Sequence, residues 1–481
     1  MAELPEIIQG GMGVAVSNWR LARAVSSEGQ LGVVSATGID NVFVRRLQDG
    51  DPGHHMREAL AHFPIPEMAE RILQKYFKEG GRREGEAYKL TPMPTVDANE
   101  EWEDLLIVAS FTEVFLAKAG HASAVGINYL EKIQLPTLPS LYGSILAGVD
   151  YVLMGAGIPR AIPGVLDRLS VNDETRLKLD VKNAGRDDSF FSTFNPKRLF
   201  KGHLPELRRP RFLGIITSHV LAQNLATKAD GHVDGFVVEG PTAGGHNAPP
   251  RGPLNLDANG EPIYGERDVP DLEKIRDIGR PFWLAGSYGN PDGLRRAKAV
   301  GATGIQVGTA FAFCNESGMT AALKGSVIES CRRRLSRVFT DAKASPTGFP
   351  FKVFGMKDTL SEQDTYEERK RVCDLGYLRH LFKKEDGTLC YRCPAEPVAN
   401  FVRKGGTEEE TVGRKCLCNG LLGTIGLGQK RGASVEKPII TVGDAVSETV
   451  CEIAGDRPSY SAADVLRYLR TPRLVPAAGA C

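Results

Sequence analysis

His246 is the side chain in this sequence best placed for proton chemistry. It follows Gly244-Gly245, shortly after the apolar run Gly235-Phe236-Val237-Val238-Glu239, which reads as a buried strand. A ring carried just past a strand end can reach an open site, and imidazole accepts a proton near neutral pH. Asn247 and the stiff pair Pro249-Pro250 would fix the loop. Three more glycine-bearing segments hold the same position after an apolar run. Gly10-Gly11-Met12-Gly13 follows Ile7-Ile8-Gln9, Gly286-Ser287 follows Phe282-Trp283-Leu284-Ala285, and Gly308-Thr309 follows Gly304-Ile305-Gln306-Val307. Glycine lets a backbone approach a flat ring or a phosphate closely, with its N–H groups turned toward it. These loops together predict a site for a phosphate-bearing cofactor. Met12 would lay a polarizable thioether against an apolar ring. Asn128, Thr217 and Ser218 end two other runs and could hydrogen-bond a ring edge, or, for Thr217 and Ser218, cap the next helix.

Such loops need a scaffold that gathers strand ends. Eight short apolar runs read as strands: the four above, with Gly32–Ser35, Val125–Asn128, Tyr151–Met154 and Phe212–Ile216. Helical stretches alternate with them at Ser17–Ser27, His219–Lys228, Pro270–Ile278 and Pro291–Val300. Alternation of this kind predicts a closed (β/α)8 TIM barrel or a large doubly wound sheet. Phosphate-binding loops after strands 7 and 8 belong to the barrel, whose chemistry gathers at the C-terminal strand ends. Leu105-Leu106-Ile107-Val108 also reads as a strand, and is taken as part of an insertion or as the buried start of a helix. Residues 50 to 104 form the insertion, amphipathic over Met68 to Phe77 and charged and glycine-rich over Lys78 to Gly85. Residues 170 to 210 are long for one crossover and suit a lid or loop. The expected organisation is a barrel over 1–325 and a smaller, mostly helical lid domain over 326–481, ending in a loose tail at Leu474–Cys481.

The bulk numbers suit this plan. A chain of 481 residues exceeds the roughly 250 of a barrel alone. With 42% hydrophobic and 25% charged residues it is of ordinary globular composition. A formal net charge of +1 gives no electrostatic case for nucleic acid or an anionic membrane as partner. No apolar run reaches the roughly 18 residues of a membrane span. The opening Met1-Ala2-Glu3-Leu4-Pro5-Glu6 lacks the blocks of an export signal, so a cytoplasmic location with reduced thiols is expected. Gly11-x-Gly13-x-x-Val16 lacks the third small residue of a dinucleotide fingerprint. No P-loop, His-Glu-x-x-His or Gly-x-Ser-x-Gly is present.

Ile7-Ile8-Gln9-Gly10-Gly11-Met12-Gly13, Glu239-Gly-Pro-Thr-Ala-Gly-Gly-His246, Leu284-Ala-Gly286 and Gly304-Ile-Gln-Val-Gly-Thr309 together resemble the nitronate monooxygenase (2-nitropropane dioxygenase) family. The resemblance spans residues 5 to 320 and implies an FMN-binding barrel with a smaller lid. By motif, Gly11, Met12, Asn128, Gly245, Gly286, Gly308 and Thr309 would contact FMN, with Gly13, Thr217, Gly244 and Ser287 beside them. His246 would be the base at the flavin edge. The implied reaction oxidises alkyl nitronates with O2 to a carbonyl compound and nitrite. Gly126–Ile133 and Cys416–Leu422 look more like a longer branch that includes enoyl reductases of fatty acid and polyketide synthesis. A reductase of that kind would use NAD(P)H and an acyl carrier or CoA thioester, and His246 would then be a proton donor or an orienting group. A third reading is a barrel that binds a phosphorylated ligand without redox chemistry.

Nine cysteines include a cluster: Cys373, Cys390-x-x-Cys393 and Cys416-x-Cys418. Two close pairs are spaced as zinc or iron–sulfur ligands are. The alternative is a set of small buried thiols, and on spacing alone no metal is assigned.

Overall fold

The computed structural model describes residues 4–97 and 99–471. The tail reading at Leu474–Cys481 lies outside the described residues. Eight parallel strands occupy the expected places: β1 Ile7–Gln9, β2 Gly32–Ser35, β3 Val125–Leu130, β4 Tyr151–Gly155, β5 Arg211–Ile216, β6 Gly235–Glu239, β7 Phe282–Ala285 and β8 Gly304–Val307. Each strand pairs in parallel with its successor from β2 through β8, and β8 pairs with β1. The ring closes where Ile8 bridges Leu31, with Gln9 N–H donating to Leu31 O at 2.9 Å and Leu31 N–H to Ile7 O at 3.1 Å. Beyond that bridge the Gln9 side chain continues the seam, its Oε1 accepting from Val33 N–H at 3.0 Å.

Alternation along the strands sorts side chains between two layers. Ile8, Val33, Leu153, Leu213, Val237 and Trp283 fill the barrel, while Ile7, Val34, Val152, Phe212, Phe236 and Ile305 pack outward. The outer ring is close fitting. A Cβ on Gly304 would stand 1.8 Å from Glu6 O, and one on Gly143 would stand 2.2 Å from Ile107 O.

Caps set the helices. Trp19–Ser27 begins two residues after the Ser17 at which the sequence places its start, because Asn18 caps it by accepting from Leu21 N–H. Ser17 instead ties the loop after β1, donating to Gly10 O at 2.7 Å and accepting from Met12 N–H at 2.8 Å. Leu105–Val108 lies inside the helix Glu100–Lys118, capped by Asn99, with three glutamates in its first turn. The helix is buried nearly all round, so it lacks the polar stripe that would mark its period. Residues 170 to 210 hold a hairpin of Thr175–Lys178 with Phe191–Phe194, and Val181–Lys182 pairs with His380–Lys383.

Beyond Ser326 the chain divides between the mouth and the flank. Val338–Asp341 and Phe351–Phe354 form an antiparallel pair that extends to Gly245–His246. Short strands His380–Lys383 and Leu389–Arg392 pair antiparallel, and helices Val398–Arg403 and Leu417–Thr424 follow them. Finally Ala462–Arg470, opened by a Ser461–Asp464 capping box, packs on Trp19–Ser27 and Pro291–Ala299 in the outer ring. No helix among the described residues is long and apolar enough to cross a membrane.

Because Gly304 abuts the Glu6 carbonyl, Gly304→Ala should destabilise by at least about 2 kcal/mol through overpacking. Chemical denaturation monitored by circular dichroism checks this, and an unchanged midpoint would contradict it.

Candidate active site

The loops after β1, β6, β7 and β8 converge on one cavity at the C-terminal end of the barrel, enclosing about 1440 Å3 between atoms, its open mouth included. Gly11, Met12 and Gly13 line it from β1, Asn128 from β3, Gly244, Gly245 and His246 from β6, Gly286 and Ser287 from β7, and Gly308 and Thr309 from β8. Thr217 is the exception. It opens onto a separate neighbouring cavity with Pro241, Asn247 and Tyr264, while Ser218 beside it caps the helix His219–Lys228. The loop after β5 turns away from the mouth there.

The glycines serve different ends. A Cβ on Gly11 would stand 2.2 Å from Asn128 Cβ, so Gly11 makes room for Asn128 itself. Gly286 (φ +83°) and Ser287 (φ +59°) are consecutive left-handed residues, a turn that aims successive N–H groups to one side. Gly244 passes so close to Val442 that a Cβ would meet its carbonyl carbon at 2.7 Å.

That last contact reveals a wall that the strand-end reading did not include. Thr441-Val442-Gly443 threads between the loops after β6 and β8. Gly245 N–H donates to Thr441 Oγ1 at 2.7 Å, and Gly443 N–H donates to Thr309 Oγ1 at 2.9 Å. Asp444 N–H donates to Thr242 O at 3.1 Å. Behind the segment, the buried Lys352 Nζ donates to Asp444 Oδ1 at 2.7 Å and Thr340 Oγ1 at 2.9 Å. The signal in sequence is faint: one glycine, Gly443, beside a threonine run-out.

His246 belongs to both layers. Its backbone pairs with Phe351, and its ring stands edge-on to the Phe351 ring at 4.9 Å. Its Nε2 shares a 2.7 Å hydrogen bond with Ser345 Oγ, which also meets Thr347 Oγ1 at 2.8 Å. Burial pushes the imidazole pKa down to about 4, so the ring is neutral across the physiological range. His246 also borders a second, apolar cavity lined by Val14, Leu130, Ile133, Leu375 and Leu422.

Gln306 and Glu239 are polar groups of the mouth whose side chains make no hydrogen bond among the described residues. The Oε1 of Gln306, on β8, is buried and unpaired. Glu239, the last residue of β6, lines the cavity, and burial pushes its carboxyl up to about 7. Both sit inside motifs recognisable in the sequence, yet neither was singled out there, because a strand-end glutamine or glutamate is ordinarily solvated.

The cysteines divide otherwise than by spacing. Cys373, Cys393, Cys416 and Cys418 line one small cavity, and Cys390 of the Cys-x-x-Cys pair is not among them. Cys390 sits within the strand Leu389–Arg392, where strand alternation separates it from Cys393. Among the described residues, no three His, Cys, Asp or Glu side chains are grouped so as to hold a metal ion.

Residues 165–341, from the helix before β5 to the strand after β8, match the nitronate monooxygenase family. A nitronate monooxygenase of Pseudomonas aeruginosa is 30% identical over 125 residues, which is 25% of this chain and 33% of that protein. The chain thus matches about a third of the length of this curated relative. FabK from Thermotoga maritima is similar over 97% of this chain and 91% of its own, at 15% identity and TM-score 0.48. A nitroalkane oxidase from Streptomyces ansochromogenes is similar over 97% and 94%, at 14% identity and TM-score 0.45.

Glu239 yields a prediction with a definite sign. Its folded-state pKa lies above that of an unfolded carboxyl, so its contribution is fully present below about 4.5 and is lost as pH rises to about 7. Glu239→Gln should therefore be more stable than wild type at pH 8, with the difference shrinking below pH 5. Denaturant midpoints across that range check this, and parallel pH profiles for the two proteins would contradict it.

Proposed function

We propose that this chain, whose residues 165–341 belong to the nitronate monooxygenase family, is a flavin-dependent oxidoreductase that holds FMN at the barrel mouth and oxidises alkyl nitronates. The observation that carries the reading is the convergence of four strand-end loops on one cavity whose lining includes the unpaired acceptor Gln306 Oε1. A flavin ring carries an N–H edge that such an acceptor suits. The left-handed Gly286-Ser287 turn and the Thr309 hydroxyl, whose proton remains free to donate, suit its phosphate. Met12, beside Gly308, offers an apolar surface to a flat ring. When bound, the flavin supplies the electron acceptor, which no protein side chain here provides.

The protein's own part is positioning and proton management. Ser345 and Phe351 hold the His246 ring at the cavity wall. A neutral imidazole can take the α-proton of a nitroalkane, or orient a nitronate by donating a hydrogen bond. With its pKa lowered to about 4 by burial, the ring is neutral at pH 7, and its part is to place a hydrogen bond on the substrate rather than to carry a charge. The apolar cavity beside His246 has the chemistry to accept an alkyl chain and keep water from it.

One observation favours a second reading, reduction of an enoyl thioester with NAD(P)H. A groove adjoining the apolar cavity is lined by Lys132, Lys182, Arg379 and Arg414, with Asp180 and Glu410 as its acids. This cationic excess suits the phosphates of a carrier arm or CoA.

Purified protein should show flavin absorbance, and anaerobic mixing with an alkyl nitronate should bleach it. Absence of flavin would overturn both redox readings. Bleaching by NADPH but not by nitronate would replace the first with the second. His246→Ala should lower turnover by about 100- to 10,000-fold while retaining flavin, and full turnover would remove His246 from the mechanism.

A further inference from the structure

Thr217 opens onto a side cavity that adjoins the barrel mouth. This cavity encloses about 460 Å3 between atoms, its opening included, and Thr217, Glu239, Asn247, Arg251 and Tyr264 are in its lining. Glu239 lines the mouth as well, so its carboxyl stands where the two spaces adjoin. The arrangement follows from the strand ends. Glu239 closes β6, paired with Ala285 of β7, while Thr217 follows the neighbouring β5 on a loop that turns away from the mouth.

Polar groups without protein partners gather around the side cavity. The Glu239 side chain makes no hydrogen bond among the described residues. Asn247 Oδ1 is buried and unpaired, and its Nδ2 donates to Ala243 O at 3.0 Å. The Thr217 hydroxyl is not spent on a helix cap, because Ser218 takes that place. The Tyr264 hydroxyl donates to Ala248 O at 3.0 Å and can still accept. Such groups, around a space larger than the roughly 30 Å3 share of one water, are the kind that ordered water satisfies. Pro249 and Arg251 in the lining are exposed, so the cavity reaches solvent at its far end.

No cation fixes the charge of Glu239. Among the described residues lining the mouth it is the one carboxyl, and there is no Lys or Arg; the other ionisable groups there are Tyr129, His246 and Tyr288. On the side-cavity wall Asp268 accepts from the N–H groups of Arg251 and Gly265 at 2.9 and 2.8 Å, and the Arg251 side chain is exposed. Burial alone pushes the Glu239 carboxyl up to about 7, as it pushes His246 down to about 4.

We propose that Glu239 is the proton-transfer residue of this site, passing protons between the barrel mouth and solvent through the side cavity. The inference rests on the flavin reading above. A nitroalkane that gives up its α-proton in the mouth leaves a proton that His246 does not keep at pH 7. The Glu239 carboxylate holds a proton more firmly and, titrating near neutrality, still releases it. One proton and no electron moves at each step: an O–H bond forms on the carboxylate, then breaks as water in the side cavity takes the proton. Run in the other direction, the same passage supplies a proton to the mouth. Negative charge gained by the mouth raises the carboxyl further, so reduction of the site draws a proton onto Glu239.

The test uses the full-length, flavin-loaded protein, reduced photochemically without substrate. Infrared difference spectra at about pH 8 should show a protonated-carboxyl band appearing on reduction, shifted in D2O and missing from Glu239→Gln. Proton release on anaerobic mixing with a nitroalkane, followed with an indicator dye, should slow by about 100-fold in Glu239→Gln and recover in part in Glu239→Asp. Thr217→Val, which alters the side cavity and not the mouth, should slow the release and keep the infrared band. Bound flavin with no Glu239-dependent band overturns the proposal, and so does unslowed release in Glu239→Gln or in Thr217→Val. Protein without flavin overturns the reading on which the proposal rests, and the proposal with it.

Discussion

The mouth of this barrel depends on the close approach of Gly244 to Val442 and Gly443. A side chain at position 244 would collide with the backbone of Val442 at 2.7 Å, and one at Gly443 would collide with Thr242 O at 2.8 Å. The two glycines let a segment two hundred residues further along pass through the gap between the loops after β6 and β8. Hydrogen bonds then fix it on both sides, to Gly245 and to Thr309. Removing those partners would leave buried N–H groups unpaired, which costs more than the net value of each bond. The barrel alone therefore does not complete its own site. The C-terminal chain supplies one wall, the Ser345 contact to His246 and the Phe351 edge.

This arrangement separates two electrostatic environments within one cavity. His246 is held neutral by burial between two layers, and Glu239 is pushed toward its protonated form at the end of β6. Neither is paired with an opposite charge, so both shifts come from desolvation. A site of this kind presents hydrogen-bonding groups without fixed charge on the substrate side. The charges lie outside, on the cationic groove and around the buried sulfurs. Such a division suits an apolar substrate carried on, or recognised by, a polar end.

Much of this was readable in sequence because the barrel's physics is local. All eight strands announce themselves as short apolar runs, since each is buried on both faces, and the glycines after β1, β6, β7 and β8 mark where the backbone must turn or come close. What was hidden has physical reasons. Leu105–Val108 looked like a strand because its helix is buried all round and lost its polar stripe. Thr217 looked like a mouth residue because position along the chain does not show which way a loop turns. Thr441–Gly443 and Ser345 depend on contacts of long sequence separation, for which no spacing rule exists. The cysteines show the same limit: Cys390 and Cys393 are neighbours in sequence, yet Cys393 joins Cys373, Cys416 and Cys418 in space.

The central claim is that the loops after β1, β6, β7 and β8, closed by Thr441–Gly443, form a flavin site. A crystal structure of the protein with FMN bound tests it most directly. The account predicts the ring between the Met12 loop and Gly244–His246, with Gln306 Oε1 paired and the phosphate at Ser287 and Thr309. Density for the flavin elsewhere, with this cavity holding only solvent, would contradict it.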